Sequence, residues 1–221
     1  MECPYPIKTR GNGFYWACNP RVPDYDLDLR DHEDWILEYL RVPVDGLFVD
    51  VGASIGAHAI RVARLRHCRV LAIEPHPAHR ELLVLNAMLN GVTLTVLPVA
   101  VGATTTEVRM AGIGGGCHVA RYDQSPNTFV IQQDTLDNLV GDQRADCVKI
   151  DVEGYECEVL AGAHRLAQSC RPTFVVEVHS HFPHCGSNGN LIVDWCAEHR
   201  YECRRIWQNT EAYYYVQLTP A

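Results

Sequence analysis

No stretch of this 221-residue chain approaches the roughly 20 consecutive apolar positions that a membrane-spanning helix requires. Its first ten residues, MECPYPIKTR, also lack the apolar core of a secretion signal, so the expectation is a cytoplasmic protein with no membrane span. Ten cysteines are present, yet no C-x-x-C pair occurs, which removes the usual zinc and redox spacings. Cys68, Cys147, Cys157, Cys196 and Cys203 fall inside expected elements, where a thiol packs as a small hydrophobe, and reduced thiols are the expectation. Positive charge is short as well: 19 Lys and Arg face 27 Asp and Glu, a net charge of −8 that gives nucleic acid no long-range attraction. The basic cluster Arg61, Arg64, Arg66 and Arg69 reads as a solvated helix end favoured by the helix dipole. Internal repeats and low-complexity tracts are absent. What remains is a chain of ordinary globular composition, 47% hydrophobic and 21% charged, whose length suits one large α/β domain.

The most informative stretch runs from Gly46 to Pro75, GLFVDVGASIGAHAIRVARLRHCRVLAIEP. An apolar run ends in a turn holding Asp50, Gly52 and Gly56, a helical stretch follows, and a second apolar run stops at Glu74. Strand, glycine turn, helix, strand and terminal carboxylate form the unit that binds an adenosine-containing cofactor. Glycine lets backbone approach a ligand, and the helix start offers unpaired N–H groups. A carboxylate at the position of Glu74 can accept from both ribose hydroxyls.

A dinucleotide site usually spells G-x-G-x-x-G, with room for a pyrophosphate. Here the spacing is Gly52-x-x-x-Gly56 with Asp50 just before it. An acid there repels a pyrophosphate but accepts from an amino group, which favours S-adenosylmethionine over a nicotinamide dinucleotide.

Alternating strand and helix signals continue along the chain. Residues 1–45 read as an N-terminal cap, with a helix from Asp31 carrying Trp35, Ile36, Tyr39 and Leu40, and residues 46–221 as the cofactor-binding domain. Helices are expected over 56–66, 78–89, 155–166 and 191–199. Strands are expected over 93–99, 128–132, 147–150 and 173–178, with closing strands over 201–207 and 212–218. The closing pair is joined by too few residues for a parallel crossover, so it should be an antiparallel hairpin. The expected fold is α/β: a Rossmann-like class I methyltransferase sheet, mostly parallel, with helices on both faces. Between the strands, Gly112, Gly114, Gly115 and Gly116 mark a candidate flap running to His118, and 123–127 a loop.

These segments resemble the FkbM family of S-adenosylmethionine-dependent methyltransferases. The resemblance rests on FVDVGASIG (48–56), Glu74-Pro75, Asn86 and Asn90, Thr135-Leu-Asp-Asn-Leu139, KIDVEGYECEVLAGA (149–163), Arg171-Pro172 and Glu177-Val-His179. It covers about residues 30–180 and departs at Ser54, where family members commonly carry Asn. It implies methyl transfer, most often to a hydroxyl of a sugar or polyketide-like natural product; a small-molecule acceptor is expected, with no nucleic acid partner given the net charge and no required metal given the lack of a partner motif. The expected cofactor-binding set is Asp50, Gly52, Ala53, Ser54, Gly56, Glu74, Pro75 and Ala100.

Transfer from a sulfonium needs chiefly alignment, plus a base for the hydroxyl proton. Asp151 and Glu153 follow one central strand, and Glu177 and His179 end the next, so these four are the catalytic candidates. His179 has the intrinsic pKa of a neutral-pH base. Asp151 is a candidate for the acceptor hydroxyl or the cofactor's ammonium, and Lys149 should pair with an acid such as Glu177. Three alternatives stay open: N-methylation of a peptide amide, a G-x-S-x-G serine hydrolase using Ser54, and a non-catalytic cofactor-binding module. The run His179-Ser-His181-Phe-Pro-His184-Cys185 could hold a metal but has no partner motif.

Overall fold

The computed structural model describes residues 5–10, 13–19, 31–112, 116–120, 128–180, 188–211 and 213–221. Its frame is a seven-stranded sheet in the order β12-β13-β11-β10-β3-β4-β5. These strands are β3 (Leu47–Val51), β4 (Arg69–Ile73), β5 (Thr95–Leu97), β10 (Cys147–Ile150), β11 (Thr173–His179), β12 (Tyr201–Thr210) and β13 (Tyr213–Pro220). The five from β5 to β11 run parallel, while β13 lies antiparallel to both β11 and β12. Central strands buried on both faces are apolar at nearly every position, and β3 and β10, buried throughout, depart from this only at Asp50 and Lys149.

Successive side chains alternate between two cores. Val49, Val51, Val148, Ile150, Val176 and Val178 face the layer holding Leu160, Leu166 and Ile192. Phe48, Val70, Ala72, Cys147 and Val175 face the opposite layer, with Ala59 and Val62 of the helix Ala57–Arg66. Among the described residues, no helix is long and apolar enough to cross a membrane.

Three departures from the expected elements have physical causes. The helix expected over 155–166 is two helices, Glu156–Ala161 and His164–Ser169. The break falls at Gly162, where a Cβ would lie 2.2 Å from the Gly102 carbonyl oxygen. The segment from Asp31 to Glu38 is a 3₁₀ helix, whose Ile36 is fully buried. The stretch between β5 and β10 carries a four-stranded sheet, β6-β9-β7-β8, built from β6 (Ala100–Val101), β7 (Thr106–Ala111), β8 (His118–Val119) and β9 (Thr128–Asp134).

The N-terminal segment is stitched on by side chains. β1 (Ile7–Arg10) and β2 (Phe14–Ala17) form an antiparallel hairpin beside the helix Pro77–Leu89. Asn86, fully buried, accepts from Ala17 N–H at 2.8 Å and donates to the Ile55 carbonyl at 3.0 Å. Asn90 pairs with both backbone groups of Tyr15, acting as a one-residue strand partner. Three of the clustered arginines have the same use, and the solvated reading is corrected at Arg61, while Arg64 and Arg69 are exposed as expected. Arg61 is 1% exposed and pairs with Asp34 at 2.8 Å, and Arg64 lies 4.8 Å over Phe14 and donates to Gly13. Arg66 donates to the Leu37 carbonyl at 2.9 Å.

The motif 135–139 serves the opposite layer. Thr135 caps the helix Leu136–Val140, and the Asp137 carboxylate caps the helix His164–Ser169 through the Arg165 and Leu166 N–H groups.

Asn86→Ala strands one buried N–H and one buried carbonyl, so it should cost about 2–4 kcal/mol. Urea unfolding measures this; a loss below about 0.5 kcal/mol would show that the hairpin does not depend on that carboxamide.

Candidate active site

β3 and β10 are neighbours in register, with Asp50 opposite Lys149 and Val51 opposite Ile150. That register sets two charged side chains against each other in the middle of an apolar sheet. Lys149 is one of only two lysines in the chain and is 2% exposed. Its ammonium donates to Asp151 Oδ2 at 3.1 Å and lies 3.8 Å from Asp50 Oδ1. Burial disfavours the cation, but Asp151, Asp50 and Glu177 hold its pKa above the ordinary lysine value. The expected partner, Glu177, contributes only charge; the direct ion pair is with Asp151.

Asp50 is 1% exposed, and neither of its carboxylate oxygens has a hydrogen-bond donor. Burial, opposed by Lys149 and by the nearby Ala59 N–H in the first turn of the helix Ala57–Arg66, and reinforced by Asp151 and Glu74, pushes its pKa up to about 6. A buried carboxylate without a donor is costly, so it marks a place for one.

Beside it the chain turns through Gly52 and Gly56, both at positive φ, 77° and 91°. A Cβ on Gly52 would stand 1.8 Å from the Asp151 carbonyl oxygen, and one on Gly56 2.9 Å from Ile60 Cδ1. Gly52 and Ala53 N–H both donate to the Ile73 carbonyl, tying the turn to the end of β4. Ser54 sits at φ 49° and its N–H donates to Glu74 Oε2 at 2.8 Å. His76 N–H donates to Glu74 Oε1 at 2.7 Å. Glu74, 4% exposed, is thereby fixed in direction, and each oxygen keeps a lone pair. The turn spelled G-x-S-x-G is thus bonded to the carboxylate at the next strand's end. Pro75 follows Glu74 and its carbonyl accepts from Arg80, whereas Ala100 packs with Met110, Val119 and Tyr155.

These groups suit a ligand with a cation beside Asp50 and hydroxyl donors beside Glu74, over backbone stripped of side chains.

The four catalytic candidates converge. His179 is 4% exposed; its Nδ1 bonds Glu156 Oε1 at 3.0 Å, and its Nε2 lies 3.5 Å from Glu177 and 3.6 Å from Glu153. Burial disfavours the charged imidazole, but hydrogen bonds to Glu156 and Glu177 and the charges of Asp151 and Glu153 carry its pKa up to about 12. These carboxylates favour the charged imidazole, which weighs against the neutral-pH base expected at His179. Glu177 is raised by burial and by Asp151, and it accepts from the Tyr215 hydroxyl, its ladder partner on β13. Asp151, 26% exposed at its side chain, is held at about 2: burial works against its charge, but Lys149 and His179 outweigh it.

Glu153 behaves differently. Burial and the charges of Asp151, Glu177 and Glu156, opposed by His179, push its pKa up to about 8. It stands at φ 52°, an uncommon conformation for a side-chain-bearing residue, followed by Gly154 at 95°. Glu156, fully buried, accepts from Gly154 N–H at 2.8 Å and from His179, fixing this turn. Sequence reasoning missed Glu156; as one of two acids in the first turn of the helix Glu156–Ala161, it carries no local signal that separates it from Glu158.

Burial and the charges of Glu74 and Glu153 push the Cys117 thiol up to about 12, which places this residue of the candidate flap close to both carboxylates. Gly112, at φ 97°, packs against Gly116. Residues 113–115 of that flap, the loop 123–127 and the residues His181, His184 and Cys185 lie outside the described residues.

Comparisons with known proteins point one way. A family model described as the methyltransferase FkbM domain matches residues 50–203. The hexuronic acid methyltransferase AglP of Haloferax volcanii is 30% identical over 159 residues, which are 69% of this chain and 64% of AglP. The crystal structure of methyltransferase FkbM from Methylobacillus flagellatus superposes with a TM-score of 0.59 at 20% identity, covering 82% of this chain and 45% of that one. M. jannaschii TYW2, solved in complex with AdoMet, gives 0.52 at 14% identity, covering 100% of this chain and 90% of that one. The two structures establish the shared fold, and this chain spans less than two thirds of AglP and of the M. flagellatus protein.

Lys149→Met would remove the ammonium shared by Asp50 and Asp151, leaving His179 to offset Asp151, at an expected cost of about 3–5 kcal/mol near neutral pH. Losing the ammonium raises both folded-state carboxylate pKa values, so the deficit should shrink as pH falls toward about 4 and the two groups protonate. Thermal unfolding of both proteins across that range checks this; a pH-independent deficit would contradict it.

Proposed function

The chain belongs to the FkbM family of methyltransferases, and from that premise we propose that it transfers a methyl group from S-adenosylmethionine to a hydroxyl of a sugar or related natural-product small molecule. The observation that carries the cofactor assignment is the buried Asp50 carboxylate, which has no donor of its own. It lies where an amino-acid ammonium would complete it. A Cβ at Gly52 would strike the Asp151 carbonyl, so that glycine lets the turn pack directly beside Asp151, and Glu74, oriented by the Ser54 and His76 N–H groups, has acceptor capacity suited to ribose hydroxyls. Support for a sugar acceptor comes from AglP, a hexuronic acid methyltransferase.

Bound in this cleft, S-adenosylmethionine supplies an electrophilic methyl group. The protein's own work is to hold the acceptor in line and to receive its proton. Asp151 stays ionised and partly open to solvent, so it is the group that accepts a hydrogen bond from the acceptor and orients it. Glu153 is the carboxylate whose proton affinity falls near neutral pH, and it is the base in this reading. His179 remains charged and balances the carboxylates around it, while Glu177 and Glu156 fix its ring. This division of labour keeps all four expected residues in the site but moves the proton from His179 to Glu153.

Glu74→Ala removes both ribose acceptors and should weaken S-adenosylhomocysteine binding about 10²-fold by calorimetry, with the fold checked by circular dichroism. Wild-type affinity would refute that role. The reaction is tested by S-adenosylhomocysteine release with a panel of hexose and hexuronate glycosides; release with none of them, by protein that binds the cofactor, would rule out the sugar acceptor.

A base must be deprotonated to act, so kcat/KM should rise with pH and level off above an apparent pKa near 8 that belongs to the coupled cluster. Glu153→Gln should abolish that rise and lower kcat about 10²–10⁴-fold. An unchanged pH profile in the variant would assign the proton elsewhere.

A further inference from the structure

Among the described residues, two groups of side chains bring metal-capable atoms within 4.8 Å of one another. One, Asp151 with Glu177 and His179, belongs to the cleft already described. The other is His164, Glu198 and His199, where the start of the helix His164–Ser169 meets the end of the helix Asn188–His199. Arg171, just before β11, donates to the His199 carbonyl, which places this pair at the opposite end of β11 from His179, about 20 Å away along the strand.

The geometry is more specific than proximity. His199 is 6% exposed, and its ring stacks on Trp195 at 4.3 Å and 20°. Its Nδ1 lies 2.8 Å from the Trp195 carbonyl oxygen. A carbonyl can only accept, so that nitrogen carries the proton and Nε2 presents its lone pair. Nε2 points at His164 Nδ1, 2.8 Å away, with the two rings nearly perpendicular at 82°. On the far side of His164, Nε2 meets the Gln168 carboxamide at 2.8 Å, and that group can serve either ring tautomer by presenting its oxygen or its nitrogen. Both imidazoles thus have the outer hydrogen bond that orients a metal-ligating histidine.

We propose that His164 Nδ1, His199 Nε2 and the Glu198 carboxylate form a binding site for a borderline transition-metal dication such as Zn²⁺, separate from the methyl-transfer cleft and independent of the function assigned to it. The bound ion takes the place of the proton on His164 Nδ1, and that proton passes to Nε2 of the same ring as Gln168 turns its carboxamide oxygen toward it, so both imidazoles stay neutral and no net proton is released. Two ligands on a tetrahedral ion stand about 3.3 Å apart, so the rings must part by about 0.5 Å. His164 is exposed and can move that far, while His199 stays clamped by Trp195. Solvent completes the fourth position. Two imidazole nitrogens and one carboxylate favour Zn²⁺, Ni²⁺ and Cu²⁺ over Mg²⁺ and Ca²⁺. An ion there would tie the two helices together at the base of the domain.

The test uses the full chain after exhaustive chelation, titrated with Zn²⁺ by calorimetry and with Cu²⁺ for electron paramagnetic resonance. The expected result is one tight ion per chain, with Cu²⁺ nitrogen splitting from two imidazoles. His164→Ala should weaken binding at least about tenfold, reduce the splitting to one nitrogen and leave S-adenosylhomocysteine affinity unchanged. Absence of a tight ion, or a tight ion held equally well by His164→Ala, would overturn the proposal.

Discussion

One ammonium group inside the sheet holds the rest of the cleft in place. Lys149 is fully enclosed between two carboxylates on the neighbouring β3 and on its own strand's end, and parallel register dictates that meeting. A buried ion pair is a poor source of stability, because desolvation offsets most of the attraction. Its value here is positional. With Lys149 present, Asp50 and Asp151 can stay charged around one ammonium, and the Asp151 carbonyl packs against the glycine turn at Gly52. Asp50 is left without a hydrogen bond, while Asp151 keeps one face toward solvent.

The second constraint is the concentration of acid. Asp50, Asp151, Glu153, Glu156 and Glu177 share the space around two cations, Lys149 and His179. Charges of one sign so close cannot all ionise, so protons distribute over the cluster and the groups part company. Asp151 falls to about 2 while Glu153 rises to about 8. Separation of this kind is what the proposed division between an orienting anion and a base requires of two carboxylates two positions apart. The positive φ of Glu153, fixed by Glu156 through Gly154, shows the backbone cost of placing that base.

The cofactor half was legible because its signals are local. Strand, glycine turn and strand-ending acid all lie between residues 46 and 75, and the structure binds them to each other through Ser54 and Glu74. The family motif of Asn86 and Asn90 was legible as a pattern but not as a cause, since its partners sit some 70 residues earlier in a short hairpin with little periodicity of its own. The broken helix at Gly162 depends on the approach of Gly102, and no local pattern reports such a contact. His179 shows the same limit electrostatically. Its intrinsic pKa suggests a base, yet Glu156, brought from another segment, and Glu177 on its own strand favour its charged form.

The central claim is that Asp50 awaits the cofactor's ammonium. Burial lifts its pKa to about 6, and a cation placed beside it would pull that value down, so binding near pH 6 must release a proton. Calorimetric titration of S-adenosylhomocysteine near that pH, repeated in buffers of different ionisation enthalpy, counts the protons directly. The account predicts net proton release by the native protein, with that release lost and the affinity sharply reduced in Asp50→Asn. Equal affinity and equal proton release in the two proteins would contradict it.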